Sequence, residues 1–502
     1  MKIKDRHKIS VAFDIIGEIE RKYEVDLVSL PDGAKLWNLI RILLYFYLQK
    51  EKSRKLSDKF KKNYNFRLKI STIKEGLTPL KIPSKEIRIC GFSNTGSRKY
   101  RDGKFYDIYL DTLDDLMGND FVVFEWPSEQ GHRQNYGGMI YSKNYVPLHL
   151  PFTTKTFWDI ILYKFFNKTS YKIQNLSILD EIIDYFANSV NLEKEMVNKY
   201  INESIAIFWY MKGFFKKLLS SISPKLVLIV CGYGRINMAI VQACRELNIP
   251  SVELQHGLIT ENHPGYVKTM KSDNRDCVPE YLLTYGDFFA DIVRRGNLFE
   301  KEKVVSVGFP YLEEVKKSKP VIDEKLKEFI SSFARNILIT SQWTVAEEIK
   351  KFTIDLSKEL IKNRLNVGII FKPHQHDWRE YTNIENHGNI FLASKYDDIY
   401  EILKVVDIHS TVYSTSGIEA LAFGKPNIFV DTGKTNVTDI IDIIDDKTSF
   451  VANSPVKFIE KLNFILQSYE RISTETMKIS EKFFKPNAKK NIEKFFDSMG
   501  AI

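Results

Sequence analysis

Cysteine is scarce in this 502-residue chain: Cys90, Cys231, Cys244 and Cys277 lie far apart, with no Cys-x-x-Cys pair. That scarcity argues against a structural zinc site and for a reducing compartment. Long uncharged apolar runs are missing as well. The two most apolar stretches, 36–48 and 205–219, are broken by Arg41 and by Lys212, Lys216 and Lys217, whereas a membrane span needs ~20 nearly uncharged residues. Both are expected to be amphipathic helices packed in a core, with shallow interfacial binding the lesser reading. No apolar segment of signal-peptide type follows the first eight residues. Internal repeats and low-complexity segments are absent, which excludes a solenoid. Zinc-finger spacing and RNP-type aromatic motifs are absent too, and no nucleic-acid partner is expected.

What is present is an ordinary globular composition, 44% hydrophobic and 27% charged. The chain is too long for one hydrophobic core, so two domains are expected, with three the alternative. Its net charge of +9 is modest and spread over scattered lysines. A solvated basic surface accounts for it, as would attraction to anionic lipid headgroups or a phosphorylated substrate.

Residues 1–80 read mostly as helices rich in lysine and aromatic residues. Residues 86–92 read as a strand running into a Ser-Asn-Thr-Gly-Ser loop at 93–97, and 121–124 as a strand closed by Glu125-Trp126-Pro127. Helical periodicity dominates from about 155 to 220. From 225 onward short apolar strands and helices alternate, with strands at 225–230, 251–254, 281–284, 304–307, 336–340, 367–371, 390–392, 407–409 and 427–430. This order predicts α/β architecture with parallel sheets covered on both faces. The alternation restarts after a Pro-containing region, predicting two Rossmann-like domains, 1–275 and 276–502, with a hinge near 275–325 and extra N-terminal helices.

Four constellations can carry chemistry. In the first, Cys231-Gly-Tyr-Gly-Arg-Ile-Asn237 follows a strand; it is either a tight strand-to-helix turn or a loop where a ligand approaches the backbone. The second is Gln255-His256-Gly257 at the end of the 251–254 strand, with His263, Gly265 and Tyr266 in the following loop. Ligands bind beyond the carboxyl ends of strands in open α/β sheets, and imidazoles there can move protons near neutral pH.

The third is Lys372-Pro-His-Gln-His-Asp377, where Lys372 and His374 can donate hydrogen bonds to a phosphate. Metal binding by His374, His376 and Asp377 is the lesser reading, since no fourth ligand is evident. The fourth is Tyr413-Ser-Thr-Ser-Gly-Ile-Glu-Ala-Leu-Ala-Phe-Gly-Lys-Pro426. Its hydroxyls and the start of a helix can hold a phosphate, and Glu419, one turn on, can accept hydrogen bonds from a ribose diol. A capping role for Ser414 or Ser416 is compatible with that.

At these residues the chain resembles the GT-B glycosyltransferases, two Rossmann-like domains facing each other across a cleft. The 414–426 stretch is similar to the nucleotide-binding helix of that superfamily. Gln255-His256-Gly257, His263-Pro-Gly-Tyr266, Val307-Gly-Phe-Pro310 and Lys372-Pro-His374 resemble bacterial surface-polysaccharide enzymes: capsule Kdo transferases, bacterial sialyltransferases and teichoic-acid glycerophosphotransferases. The resemblance covers roughly 225–435.

It implies a metal-independent glycosyltransferase that moves a sugar from a nucleotide donor, CMP- or UDP-linked among others, to a capsule or lipopolysaccharide acceptor. The alternatives are a UDP-GlcNAc 2-epimerase-like isomerase and a CDP-polyol phosphotransferase of teichoic-acid type. Donor binding is expected at Lys372, His374, Ser414, Thr415, Ser416, Gly417 and Glu419. His256 is the first candidate for the general base and His263 the second. If a carboxylate is needed, Glu125 is the best placed, ahead of Asp107 and Asp111. No cofactor is expected beyond the donor itself, in a cytoplasmic protein with peripheral contact at the inner membrane face as an option.

Overall fold

A computed structural model describes residues 8–57, 82–83, 86–94, 97–101, 103–126, 140–142, 144–148, 172–342, 344–375, 377, 379–381, 383–385, 387–433 and 444–501. Thr95, Gly96, Pro127 and His376 lie outside the described residues, as do the expected helical stretches at 1–7, 58–80 and 155–171. The strands are short runs with both faces covered. Leu226-Val-Leu-Ile-Val230 is buried at all five positions, and Ile408-His-Ser-Thr411 at all four. Burial on both faces leaves no reason for alternation, as in parallel sheets flanked by helices.

Two such sheets form. The first contains β1 (Ile89–Asn94), β4 (Phe121–Trp126), β5 (Tyr145–Pro147), β6 (Leu226–Val230), β7 (Ser251–Leu254), β8 (Tyr281–Thr284) and β9 (Val304–Ser306). Their order is β5-β4-β1-β6-β7-β8-β9, parallel throughout. An antiparallel hairpin joins β2 (Arg98–Arg101) to β3 (Lys104–Asp107). The second sheet contains β10 (Arg335–Thr340), β11 (Val367–Lys372), β12 (Ile390–Leu392), β13 (Ile408–Thr411), β14 (Asn427–Val430) and β15 (Ser449–Ala452). Its order is β12-β11-β10-β13-β14-β15, also parallel.

The chain divides into two compact units: 1–284 with 289–306 and 489–502, and 285–288 with 307–488. The boundary expected at 275/276 is therefore displaced. The outer edge of β7 would expose unpaired backbone groups, and β8 and then β9 cover it, pairing Val252 with Tyr281 and Leu282 with Val304. The C-terminal helix Ala488–Ser498 also closes on the first unit, where the Phe495 ring meets Tyr281 edge-on at 5.3 Å.

The N-terminal helices belong to the core. Residues 36–48 are buried on every side except at Phe46, so this stretch is enveloped rather than amphipathic. Helix Lys194–Ile222 keeps a polar face with Lys216 and Lys217 exposed. Among the described residues, no helix is long and apolar enough to cross a membrane.

Candidate functional site

In the first unit the histidines stand at the carboxyl end of β7. The Tyr266 hydroxyl donates to Glu253 Oε1 at 2.8 Å, and its oxygen lies 3.4 Å from His256 Nδ1. With that hydroxyl proton on an ionised Glu253, the imidazole is the donor, which places the ring proton on Nδ1. Nε2 is left with its lone pair, 3.3 Å from the Tyr233 hydroxyl. Burial pushes the His256 pKa down to about 4, so the ring is neutral at neutral pH. The Tyr109 hydroxyl holds the His256 carbonyl at 3.0 Å.

His263 packs against Tyr233 and Tyr266, each at 5.0 Å between ring centroids. Burial, aided by the nearby His256, pushes its pKa down to about 3. Its Nδ1 accepts the Gly265 N–H at 3.1 Å, so it braces its own loop. Glu253 is buried at the base of the cluster. Burial raises its pKa to about 7 against the pull of the Gly232 N–H and the Tyr266 hydroxyl.

The Cys231–Asn237 loop is a tight strand-to-helix turn. Asn237 Nδ2 bonds the Val230 and Cys231 carbonyls at 2.8 and 2.9 Å, and Tyr233 is delivered into the histidine cluster. Gly232 is required by close approach: a Cβ there would meet the Glu253 carboxylate and lie 2.6 Å from Pro279 Cγ. The histidine loop is anchored from the N-terminal helices. Arg41, 1% exposed, donates to the Val267 carbonyl at 2.7 Å and to that of Pro264 at 2.5 Å, and pairs with Glu20 at 3.2 Å. Glu20 in turn accepts the Trp37 indole N–H at 3.0 Å and the Thr269 N–H at 3.2 Å.

Glu125 does not stand free at the end of β4. It forms a buried ion pair with Arg98, both side chains 1% exposed, and accepts the Tyr145 hydroxyl at 3.1 Å. Arg98 also bonds Asp111 at 3.2 Å, while Asp107 accepts the Ser93 hydroxyl. Burial opposes the Arg98 charge, but Glu125, Asp107 and Asp111 outweigh it and raise its pKa. Burial, with the Asp107 charge beside it, lifts Asp111 to about 7. These three carboxylates gather around one guanidinium, so a base here would have to act from within a buried ion-pair network.

In the second unit the donor candidates gather at the carboxyl ends of β11 and β13, on either side of β10. The segment after β10 ties them together. Ser341 N–H bonds the Lys372 carbonyl at 2.9 Å, and Gln342 Oε1 accepts the Tyr413 N–H at 3.0 Å. Lys372 is buried, its ammonium donating to the Lys395 carbonyl at 3.3 Å; His374, Ser414 and Thr415 are half-buried. Glu419 is oriented by the Tyr400 hydroxyl at 2.9 Å. Asp377 is committed to its own turn through Arg379 at 2.9 Å and Tyr381 at 2.5 Å.

Ser416 departs from expectation. It is buried, and its hydroxyl faces Thr340 Oγ1 at 3.0 Å. Ser414 and Thr415 carry the other hydroxyls of the turn, and that of Ser414 accepts the Ser416 N–H at 3.3 Å. Sequence reasoning passed over Tyr233, Tyr400, His409 and Arg41. Only an aromatic between two glycines, at Tyr233, carried any local signal.

Two parallel α/β sheets with these carboxyl-end loops define the GT-B type of fold. The putative UDP-N-acetylglucosamine 2-epimerase of Listeria monocytogenes is similar at 10% identity over 83% of this chain and 96% of that one, TM-score 0.53. Another UDP-N-acetylglucosamine 2-epimerase shares 10% identity over 83% and 98% of the two chains, TM-score 0.50. The wall teichoic acid polymerase TagF shares 12% identity over 91% and 96%, TM-score 0.47. By sequence, residues 251–499 match the CDP-glycerol:poly(glycerophosphate) glycerophosphotransferase family. No curated protein matches the chain.

Proposed function

We propose that the protein is a transferase moving a polyol phosphate, of the glycerol phosphate type, from a cytidine diphosphate donor to a growing surface polymer. The observation that carries this reading is the extent of the family match. It begins at β7 and includes His256, His263, Lys372, His374 and Ser414–Glu419, and it leaves out Glu125, Asp107 and Asp111.

In this reading Lys372, His374, Ser414 and Thr415 hold the donor phosphates, and Glu419 the ribose. His256 Nε2 takes the proton of the acceptor hydroxyl as its oxygen attacks the β-phosphorus; the bond from that phosphorus to the bridging oxygen breaks and CMP leaves. The net charge of +9 suits an anionic phosphodiester polymer.

The test is incubation with CDP-glycerol and a glycerol phosphate oligomer, following CMP release and chain growth. Acceptor-dependent CMP release supports the proposal. Turnover of UDP- or other nucleotide-linked sugars onto a glycan would replace it with sugar transfer to capsule or lipopolysaccharide, and conversion of UDP-GlcNAc alone would replace it with epimerisation. A thermal-shift comparison of CMP, CDP, UDP, GDP and dTDP reads the base preference independently, because a ligand binding only the folded state raises stability.

A further inference from the structure

His409 is completely buried in the middle of β13 and takes no part in the chemistry proposed above. It nonetheless sits in a closed hydrogen-bonded circuit. Asn427 Nδ2 donates to the Gly417 carbonyl at 2.6 Å, so the Asn427 Oδ1 atom is the acceptor facing His409 Nδ1 at 2.7 Å. Nδ1 must then carry the ring proton. Burial holds the His409 pKa down at about 4, which keeps the ring neutral and leaves Nε2 a pure acceptor.

Thr340 Oγ1, 3.0 Å from Nε2, donates to it, and the Ser416 hydroxyl, 3.0 Å from Thr340 Oγ1, donates in its turn. Thr340 Oγ1 lies farther, at 3.4 Å, from the Ser410 carbonyl, so its proton favours Nε2 and the circuit runs in one direction. It begins on the Ser416 side chain and ends on the carbonyl of the next residue, Gly417.

We infer that His409, with Thr340 and Asn427, is a positioning residue for the donor site: the circuit grips Ser416 and Gly417 from beneath and so fixes the turn that presents Ser414 and Thr415 to a phosphate. The Ser416 hydroxyl is a structural donor and not a ligand of the nucleotide. Gly417 belongs to the same device. A Cβ there would lie 2.7 Å from the Phe429 ring, on the strand that carries Asn427, so the turn is pressed against β14 as well as bonded to it. This inference rests on the reading of the 414–419 turn as the donor site.

The test replaces Thr340 with valine, which keeps the shape and removes both the donor to His409 and the acceptor for Ser416, and with serine, which keeps the hydroxyl. Two readouts are taken. In unliganded protein, hydrogen exchange of the Gly417–Glu419 amides is expected to quicken about tenfold in Thr340→Val, equivalent to a tenfold larger open population, and to return to normal in Thr340→Ser. In turnover, Thr340→Val is expected to raise the donor KM about tenfold while kcat changes less than about twofold, the mark of lost uniform binding. Thr340→Ser restores KM.

Unchanged exchange and unchanged KM in Thr340→Val overturn the inference, as does a loss confined to kcat. Quickened exchange in a protein that binds none of the nucleotides in its wild-type form supports the circuit and overturns the donor-site reading instead. Should Thr340→Val unfold, Asn427→Asp, which cannot donate to the Gly417 carbonyl, is put through the same two measurements with the same expectations.

Discussion

Tyr266 donates its hydroxyl proton to Glu253 across 2.8 Å, and through the same oxygen it sets the tautomer of His256. A buried carboxyl thus reaches the imidazole by way of a phenol. The raised pKa of Glu253, about 7 against an ordinary 4.5, makes this pair pH-sensitive in a known direction. Its contribution to stability is full below pH 4.5 and is lost as pH rises through 7, because the folded state binds the proton more tightly than the unfolded chain.

Glu253→Gln removes that dependence. Between about pH 4.5 and pH 8 the stability of the variant relative to wild type should therefore rise by roughly 1–3 kcal/mol, measured by urea unfolding at fixed pH values. A difference that stays constant with pH would show that Glu253 titrates normally.

His256→Ala is expected to lower kcat by about 100-fold or more, as loss of a general base does. Nucleotide affinity should hold, since no donor-binding group is touched. Tyr266→Phe takes away the acceptor of the Nδ1 proton and should cost about tenfold in kcat, the size expected for an orienting hydrogen bond worth about 1.4 kcal/mol. Pre-steady-state turnover with calorimetric nucleotide titration separates the two effects. A His256→Ala protein of full activity would remove the imidazole from the mechanism.

The strands at 251–254, 281–284, 390–392 and 427–430 were legible to the residue, because each is a short segment with apolar residues between turn signals; those at 251–254 and 427–430 are buried at every position. The β2–β3 hairpin is charged at Arg98, Lys99, Arg101 and Lys104 and has no apolar run of the kind that marks a covered strand. The domain boundary failed for a related reason, since nothing local tells which sheet a strand such as β8 will join. At the site, the histidines and the donor loops were visible as motifs at strand ends. The partners of Ser416 and Glu125 were not legible, because they are distant along the chain. Thr340 lies 76 positions before Ser416, and Arg98 lies 27 before Glu125.

The Arg98 knot separates a structural from a catalytic role for Glu125. Arg98→Met would leave three buried carboxylates with no cation and is expected to destabilise by roughly 3–5 kcal/mol. Glu125→Gln instead relieves an excess of negative charge while keeping an acceptor for Arg98 and Tyr145. Its expected cost is under about 2 kcal/mol, with kcat retained within about threefold of wild type. Loss of turnover in Glu125→Gln without loss of stability would restore Glu125 as the base.

Arg41 offers the sharpest test of how the N-terminal helices serve the histidine loop. Its guanidinium holds the Pro264 and Val267 carbonyls on one side and Glu20 on the other, all out of water. Arg41→Met strips the loop of two donors and Glu20 of its counter-charge, although the Trp37 and Thr269 N–H groups still bond that carboxylate. The expected loss is roughly 3 kcal/mol, near the lower end for breaking a buried pair. Glu20→Gln strands the buried Arg41 charge in the same way, although the guanidinium keeps the Pro264 and Val267 carbonyls, and should cost a similar amount. If the two groups stabilise each other, the double variant recovers part of the Arg41→Met loss, giving a coupling of about 1–3 kcal/mol in a double-mutant cycle. Strict additivity would mean that Arg41 acts only through the two carbonyls. In either case kcat should fall with Arg41→Met, because His263 and Tyr266 are carried on the segment it anchors and Tyr266 governs the His256 proton.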